Sequence, residues 1–316
     1  MSAQLAVADL ASQSRRGEKS YRTVPSEDRS GLYEVTVTPR IAAALYLPGG
    51  LSNDIAEATA DVCAFDQFCS AEIASLSSVL LRSESVASSQ IEGLLVSARV
   101  LAEAEIGETH RQQAKLIAAN VAAMNAAIDL SGRLDAAAIL AMHKVLMGQE
   151  VPQIAGRWRE EQVWIGGSSF GLHGADYIAA VHDRVPEAID DLVIFMRRSD
   201  VPALARAAIA HAHFESIHPF PDGNGRTGRA LMSALLRSRG VREHIIVPIS
   251  SGLLAHQDDY FAALVAYLRG QVEPITARSD SGVHQLADYL MRQLVVTSVM
   301  VRSALNVSGV GAQRYL

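Results

Sequence analysis

Along most of this chain apolar side chains return every three to four residues, on a background rich in alanine and leucine. Between Ser52 and Glu92 they fall at Ile55, Val62, Phe65, Phe68, Ile73, Leu76 and Leu80, the stripe that one face of a helix presents to a core. Gly93 then stands where a helix stops. Similar patterns cover roughly 95–106, 109–131, 134–148, 176–197, 201–217, 226–239, 255–269 and 277–305. Alanine and leucine lose little side-chain freedom in a helix, and few β-branched runs compete with them. The expected fold class is therefore all-α. One stretch departs from the period: RWREEQVWIGGSSFGLHGADYI (157–178) alternates over Glu161–Ile165, turns at Gly166-Gly167 and returns through further glycines. It is expected to form a small β-hairpin set into the helical body.

A chain of 316 residues, 49% hydrophobic and 20% charged, has the composition of a globular protein and not of a disordered one. Its net charge of −6 gives no overall attraction to nucleic acid or to anionic lipid. Cys63 and Cys69 are too few for a disulfide framework. Neither a signal-peptide core before Arg15-Arg16 nor an uninterrupted apolar run of membrane-spanning length is present, so no membrane partner is expected and the location expected is cytoplasmic. Residues 1–30 are polar and aperiodic and read as a flexible arm, followed by a helical segment over 31–108. At the other end, residues 276–316 form a C-terminal helical segment. There Thr297–Leu305 reads as a helix, Asn306–Ser308 as a turn and Gly309–Leu316 as the opening of a second helix, a partial helix-turn-helix. Only Arg302 and Arg314 are basic in the last twenty residues, so nucleic acid is not an expected partner.

The segment that carries chemistry is HPFPDGNGRTGR, His218–Arg229, which lies between two helical patterns. Gly223, Asn224 and Gly225 allow a loop that turns several N–H groups inward, and a helix opening near Arg226 would aim its positive end at the same point. Arg226 and Arg229 are three apart on one helix face and can grip two phosphates of one chain. Asp222 is a hard oxygen ligand suited to Mg²⁺ shared with nucleotide phosphates, and His218 is of the type that serves as a general base. The string GNGRTG also fits the dinucleotide pattern GxGxxG, but the preceding ALARAAIAHAHFESI is helical and no βαβ unit surrounds it. His211, His213 and His218 lack the remaining ligands of a zinc site.

HPFPDGNGRTGR matches every position of the signature HxFx(D/E)GNGRxxR, and the chain thereby resembles the Fic-domain family. The resemblance extends to the alanine-rich N-terminal helical segment, the hairpin, the FESI lead-in and the downstream PISSGLLAHQDDYFAAL. It implies a Fic-type helical catalytic domain over 109–275 that transfers AMP from ATP, with Mg²⁺, to a Tyr, Thr or Ser hydroxyl of a target protein or of the chain itself. His218 would be the base, Asp222 the metal ligand, and Phe220 an inward anchor. Asn224 and the amides of Gly223–Gly225, with Arg226 and Arg229, would hold the phosphates. Ser88, Glu92 and Gly93 match the family's inhibitory pattern (S/T)xxxE(G/N), although alone they read as an ordinary capped helix end. The hairpin would be the family's flap, with Gln162, Val163, Trp164, Ile165 and Gly166 forming the edge that pairs with an extended target segment. His256 and Tyr260 lie where the family lines its nucleoside pocket, and packing accounts for them as well. A homodimer is compatible with the family. Transfer of another phosphate-linked group, removal of AMP through Glu92, and an ATP-sensing DNA-binding regulator are the rival readings.

Overall fold

The helix α6, Ala203–Ile217, is the one around which the others are laid. Every residue from Leu204 to Ile217 is buried, polar ones included. Alanines at 205, 207, 208, 210 and 212 keep its surface low, so neighbours approach it on all sides. The computed structural model describes residues 21–23, 32–34, 36, 38, 40–41, 52–53, 55–60, 62–63, 76–165, 177–238 and 246–268. In chain order the elements are β1 (Tyr21–Thr23), β2 (Leu32–Glu34), α1 (Leu76–Ile91), α2 (Ala98–Glu105), α3 (Gln112–Asp129), α4 (Ala136–Met147), β3 (Trp164–Ile165), β4 (Tyr177–Ile178), a 3₁₀ turn at His182–Arg184, α5 (Val185–Met196), α6, α7 (Asn224–Ser238), α8 (Ile249–Ala255) and α9 (Gln257–Leu268). Residues 55–60 are also helical and lay Ile55 and Ala58 on the core beside Val62.

α5 and α7 pack along α6, α7 also lies against α3 and α4, and α1 rests on α3, α7 and α8. The shared core gathers Ile139, Met142, Phe195, Phe214, Phe220, Leu231, Leu235 and Tyr260. Two histidines inside α6 meet tyrosines of α9: His211 Nε2 lies 2.7 Å from the Tyr260 hydroxyl and His213 Nδ1 lies 3.0 Å from that of Tyr267. Among the described residues no helix is long and apolar enough to cross a membrane.

The all-α expectation holds, with differences in detail. Tyr21–Thr23 lies inside the stretch read as a loose arm and pairs antiparallel with Leu32–Glu34. Three-residue strands are too short to show a period of two. The hairpin exists but is shorter than its alternation suggested, pairing Trp164 with Ile178 and Ile165 with Tyr177. Its returning strand takes Tyr177–Ile178 from the helix expected over 176–197, which starts only at Val185, with Pro186 in its first turn. Ile249–Ala255 forms a helix that the sequence pattern did not show. Its cap comes from far away: Ser250 donates its backbone N–H (2.7 Å) and its hydroxyl (2.6 Å) to the buried Glu84 carboxylate of α1. Gly166 of the flap edge, Cys69, and the partial helix-turn-helix of 276–316 lie outside the described residues.

The buried face of α1 carries polar groups beside Leu80, Leu81, Ala87 and Ile91, and they are tied down one by one. The Ser85 and Ser89 hydroxyls donate back to the carbonyls of Leu81 and Ser85, and Asn120 of α3 donates to Ser85 O (2.9 Å) and Ser89 Oγ (3.1 Å). The helix stops at Gly93, whose φ of 76° suits glycine. Leu94 N–H reaches back to Ser89 O and Gly93 N–H to Gln90 O, which fixes Glu92 as the residue at the helix end.

Burial of α6 makes stability depend on pH. His211 is held down to about 3 by burial and by the Arg229 charge, and His213 to about 3 by burial. Burial pushes Glu215, on the same helix, up to about 8, against the pull of Arg229. Below about pH 6.5 the unfolded chain protonates His211 and His213, which the folded one keeps neutral, so these two lower stability as the pH falls through that window. Glu215 contributes with the opposite sign between about 4.5 and 8. Chemical denaturation should find the protein less stable at pH 5 than at pH 7. His213→Phe should reduce that slope by about 1 kcal/mol per pH unit. Equal slopes for both proteins would remove His213 from this account.

Candidate active site

The last turn of α6 delivers His218 into a corner that side chains rarely occupy. Its φ of 49° and ψ of 61° are left-handed, and among the described residues it is the one non-glycine with positive φ. Such a conformation costs about 1–3 kcal/mol and persists only where neighbours fix it. Here the fixing groups are the His218 N–H, which donates to Phe214 O at 2.9 Å, and Arg159, whose Nε donates to His218 O at 2.8 Å. The His218 ring is pulled down to about 4 by burial, so it is neutral at pH 7. Its Nδ1 faces the Glu215 carbonyl at 3.4 Å, an acceptor that places the ring proton on Nδ1 and leaves the lone pair on Nε2.

From this corner the loop runs inward and out again. Phe220 is fully buried, stacked on His143 with centroids 3.6 Å apart and packed beside Trp158 and Phe214. Asn224 closes the loop: Phe220 N–H donates to Asn224 Oδ1 (2.9 Å), and Asn224 Nδ2 donates to Phe220 O (2.8 Å). The Asn224 side chain thus shapes the loop from within. His143 bonds the loop from below. Gly156 N–H donates to His143 Nδ1 (3.0 Å), so the proton sits on Nε2, which donates to Asp222 O (3.0 Å). Burial holds His143 down to about 4, which keeps it in that neutral form. Gly223, at φ 78°, lies so close to α4 that a Cβ would stand 3.1 Å from Met147 Sδ and 3.3 Å from Leu146 Cδ2.

The α7 helix opens at Asn224 with two buried arginines on its first turns. Arg229 is 1% exposed and spends its donors on the end of α1: Nε to Ser88 Oγ (2.9 Å), and Nη2 to Ser88 O (2.8 Å) and Glu92 Oε1 (2.7 Å). Burial opposes its charge, but Tyr260, Glu92 and Glu215 outweigh that and hold the guanidinium protonated more firmly than usual. The Glu92 carboxylate lies directly on the first turn of α7, where a Cβ on Gly225 would collide with Oε1. Arg226 is otherwise disposed. Its Nη2 lies 3.9 Å from Met147 Sδ and 4.0 Å from Asp222 Oδ1, while its buried Nε and Nη1 have no partner among the described residues. The Asp222 side chain is 65% exposed, with Oδ1 accepting Gly223 N–H. Among the described residues no three His, Cys, Asp or Glu side chains converge on one point, so a divalent ion here would rest on Asp222 and on ligands brought by a substrate.

The hairpin stands against the same corner. Tyr177 of β4 donates its hydroxyl to Ser216 O at 2.6 Å. Thr36 N–H donates to Ile178 O on the far side of β4, so β3 is the outer strand of the pair. Gln162 Nε2 folds back onto Val163 O and Ala179 O. The two nucleoside-pocket candidates part company. His256 is exposed at the end of α8, whereas Tyr260 is 1% exposed, bonded to His211 and set beside Arg229. Tyr260 therefore supports Arg229 from behind and offers no open ring face. Sequence reasoning passed over Arg159, His143, Tyr177 and Glu215. His143 shares its helix face with Ile139 and Met142 and reads as core, and nothing local marks Arg159 or Tyr177.

With this geometry in place, similarities to known proteins can be set beside it. Residues 133–236, from the start of α4 to the end of the loop's helix, match the Fic/DOC family. Protein adenylyltransferase fic-1 of Caenorhabditis elegans is 31% identical over 139 residues, 43% of this chain and 24% of that protein. Protein adenylyltransferase Fic of Drosophila virilis is 35% identical over 118 residues, 34% of this chain and 21% of that protein. The chain thus spans about a quarter of the length of these curated relatives. Among solved structures, a Fic family protein from Desulfovibrio desulfuricans G20 superposes with a TM-score of 0.63 at 22% identity, over 84% of this chain and 78% of the other. Fic-1 (aa134–508) from C. elegans superposes at 0.55 and 20% identity, over 84% and 72%. The matched residues, 133–236, hold the His218 corner and both arginines, so the site lies within the part of the chain that is similar to the Fic/DOC family.

Proposed function

We propose that this chain is an autoinhibited protein adenylyltransferase that moves AMP from ATP to a hydroxyl side chain of a target protein. The observation that carries the reading is the Glu92 carboxylate. It lies on the bare backbone of Gly225 at the N-terminus of α7 and is gripped by Arg229, next to an Arg226 whose Nε and Nη1 are buried without a partner. An anion already occupies the place that suits a terminal phosphate, and an unused guanidinium edge adjoins it. The named activities of the C. elegans and D. virilis relatives agree with this reading.

In the reaction, the neutral His218 ring would take the proton of the target hydroxyl as its oxygen bonds the α-phosphorus, and pyrophosphate would leave. Arg226 and Arg229 would hold the departing phosphates and offset their charge, while the amides at the start of α7 would orient the rest of the chain. Asp222, exposed and adjoining Arg226, fits a single carboxylate ligand for Mg²⁺, which would neutralise phosphate charge when bound. The outer strand β3, with Gln162–Ile165, would pair with an extended target segment, and self-modification follows where a segment of the same chain reaches it. Glu92 competes with the terminal phosphate for Arg229. Nucleotide bound beside it would be displaced from in-line geometry, and a displacement of about 1 Å can cost ~10²-fold in rate.

Incubation with labelled ATP and Mg²⁺, read by mass spectrometry, tests the chemistry. Glu92→Gly should raise AMP incorporation, self-modification included, at least tenfold. Arg229→Gln in that background should remove most of the gain. Equal rates for the parent and Glu92→Gly would return Glu92 to an ordinary helix end.

A second prediction concerns the base. His218→Ala should lower transfer by ~10²–10⁴ with ATP affinity kept. Because burial holds His218 at about 4, transfer by Glu92→Gly should keep more than half of its pH 7 rate at pH 5.5. A midpoint near pH 6.5 would mean that the ring is not buried as described.

A further inference from the structure

Arg159 is 2% exposed, and among the described residues its guanidinium donates to backbone carbonyls instead of carboxylates. They fall into two groups. Nε donates to His218 O (2.8 Å) and Nη2 reaches Ile217 O (3.5 Å), the carbonyls that end α6. Nη1 donates to Glu161 O (2.9 Å) and Nη2 to Ala180 O, one on the strand root entering the hairpin and one on the root leaving it. Its own N–H donates to Pro219 O at 2.9 Å. A guanidinium presents five donors in a rigid plane, so this one side chain fixes the spacing between the two roots and the left-handed corner. The carbonyl end of a helix is also where a cation is favoured.

We propose that Arg159 is the positioning residue for His218: its guanidinium locks the left-handed corner that aims the imidazole and couples it to the flap, so that a target segment pairing with β3 stiffens the backbone of the base. The proposal rests on the adenylyl-transfer reading above. It assigns Arg159 no contact with ATP, whose proposed ligands are Arg226, Arg229 and the start of α7, and so places its effect on turnover and not on nucleotide affinity. Arg159 also bears on the His218 ring as a nearby positive charge, against the opposing charges of Glu92 and Asp222. Lysine in its place keeps that charge but is a single point of donation and cannot span both groups of carbonyls.

The test compares Glu92→Gly with the same chain carrying Arg159→Met or Arg159→Lys, measuring self-modification at saturating ATP and Mg²⁺, ATP affinity, and the His218 ring titration by NMR. Arg159→Met should lose at least 100-fold in transfer with ATP affinity within threefold of the parent, and its His218 titration should move up. Arg159→Lys should lose at least tenfold with ATP affinity kept and the titration unmoved. Transfer by Arg159→Lys within threefold of the parent overturns the proposal. So does a loss of ATP binding in step with the rate in both variants, which marks a merely structural role, and so does an unmoved titration in Arg159→Met. A Glu92→Gly parent without any transfer overturns the adenylyl-transfer reading, and the proposal with it.

Discussion

The contact on which the site depends is that between Arg229 and the end of α1. A guanidinium buried to 1% exposure is costly unless its donors are spent, and three of its hydrogen bonds go to Ser88 and Glu92, on a helix some 140 residues earlier in the chain. That contact brings a carboxylate to the start of α7 and keeps Gly225 free of side chain. It also explains why α1 must be anchored so heavily. Glu84 caps α8, and Asn120 holds Ser85 and Ser89, so the helix cannot slide without breaking buried hydrogen bonds.

Three buried arginines surround the loop, and their donors are disposed differently. Among the described residues Arg159 takes carbonyls, Arg229 takes a hydroxyl, a carbonyl and a carboxylate, and Arg226 leaves two nitrogens without partners. The histidines nearby are treated uniformly. Burial depresses His143, His211, His213 and His218, so each is neutral and works as a directional donor and acceptor instead of a charge. Positive charge in the site is thus confined to guanidinium groups, which stay protonated and whose planes have fixed directions.

The loop was legible because its chemistry is local. His218, Asp222, Gly223, Gly225, Arg226 and Arg229 sit within twelve residues, and their spacing alone suggests a phosphate cradle. Ser88 and Glu92 were legible only through the family pattern, since nothing in a helix end says which distant arginine it will meet. The helix at Ile249–Ala255 was missed because its cap is supplied by Glu84 across the fold. The surroundings of Asn224 and Tyr260 were not legible for a related reason. A polar residue in a signature reads as a ligand, yet the Asn224 amide is bonded to Phe220 and the Tyr260 ring is enclosed, facts that only packing reveals. Arg159 left no mark at all, because backbone carbonyls have no sequence.

Gly93 has a consequence for how such a chain can change. By ending α1 where it does, it makes the helix a ruler whose last division is Glu92. Inserting or deleting one residue between Ser88 and Glu92 would turn the carboxylate by about 100° and shift it by about 1.5 Å along the axis, away from Arg229. The contact between Glu92 and Arg229 is therefore written in a length, separately from the residues of the 218–229 loop. A lineage can gain or shed that contact by a single-codon insertion or deletion while residues 218–229 pass on unaltered.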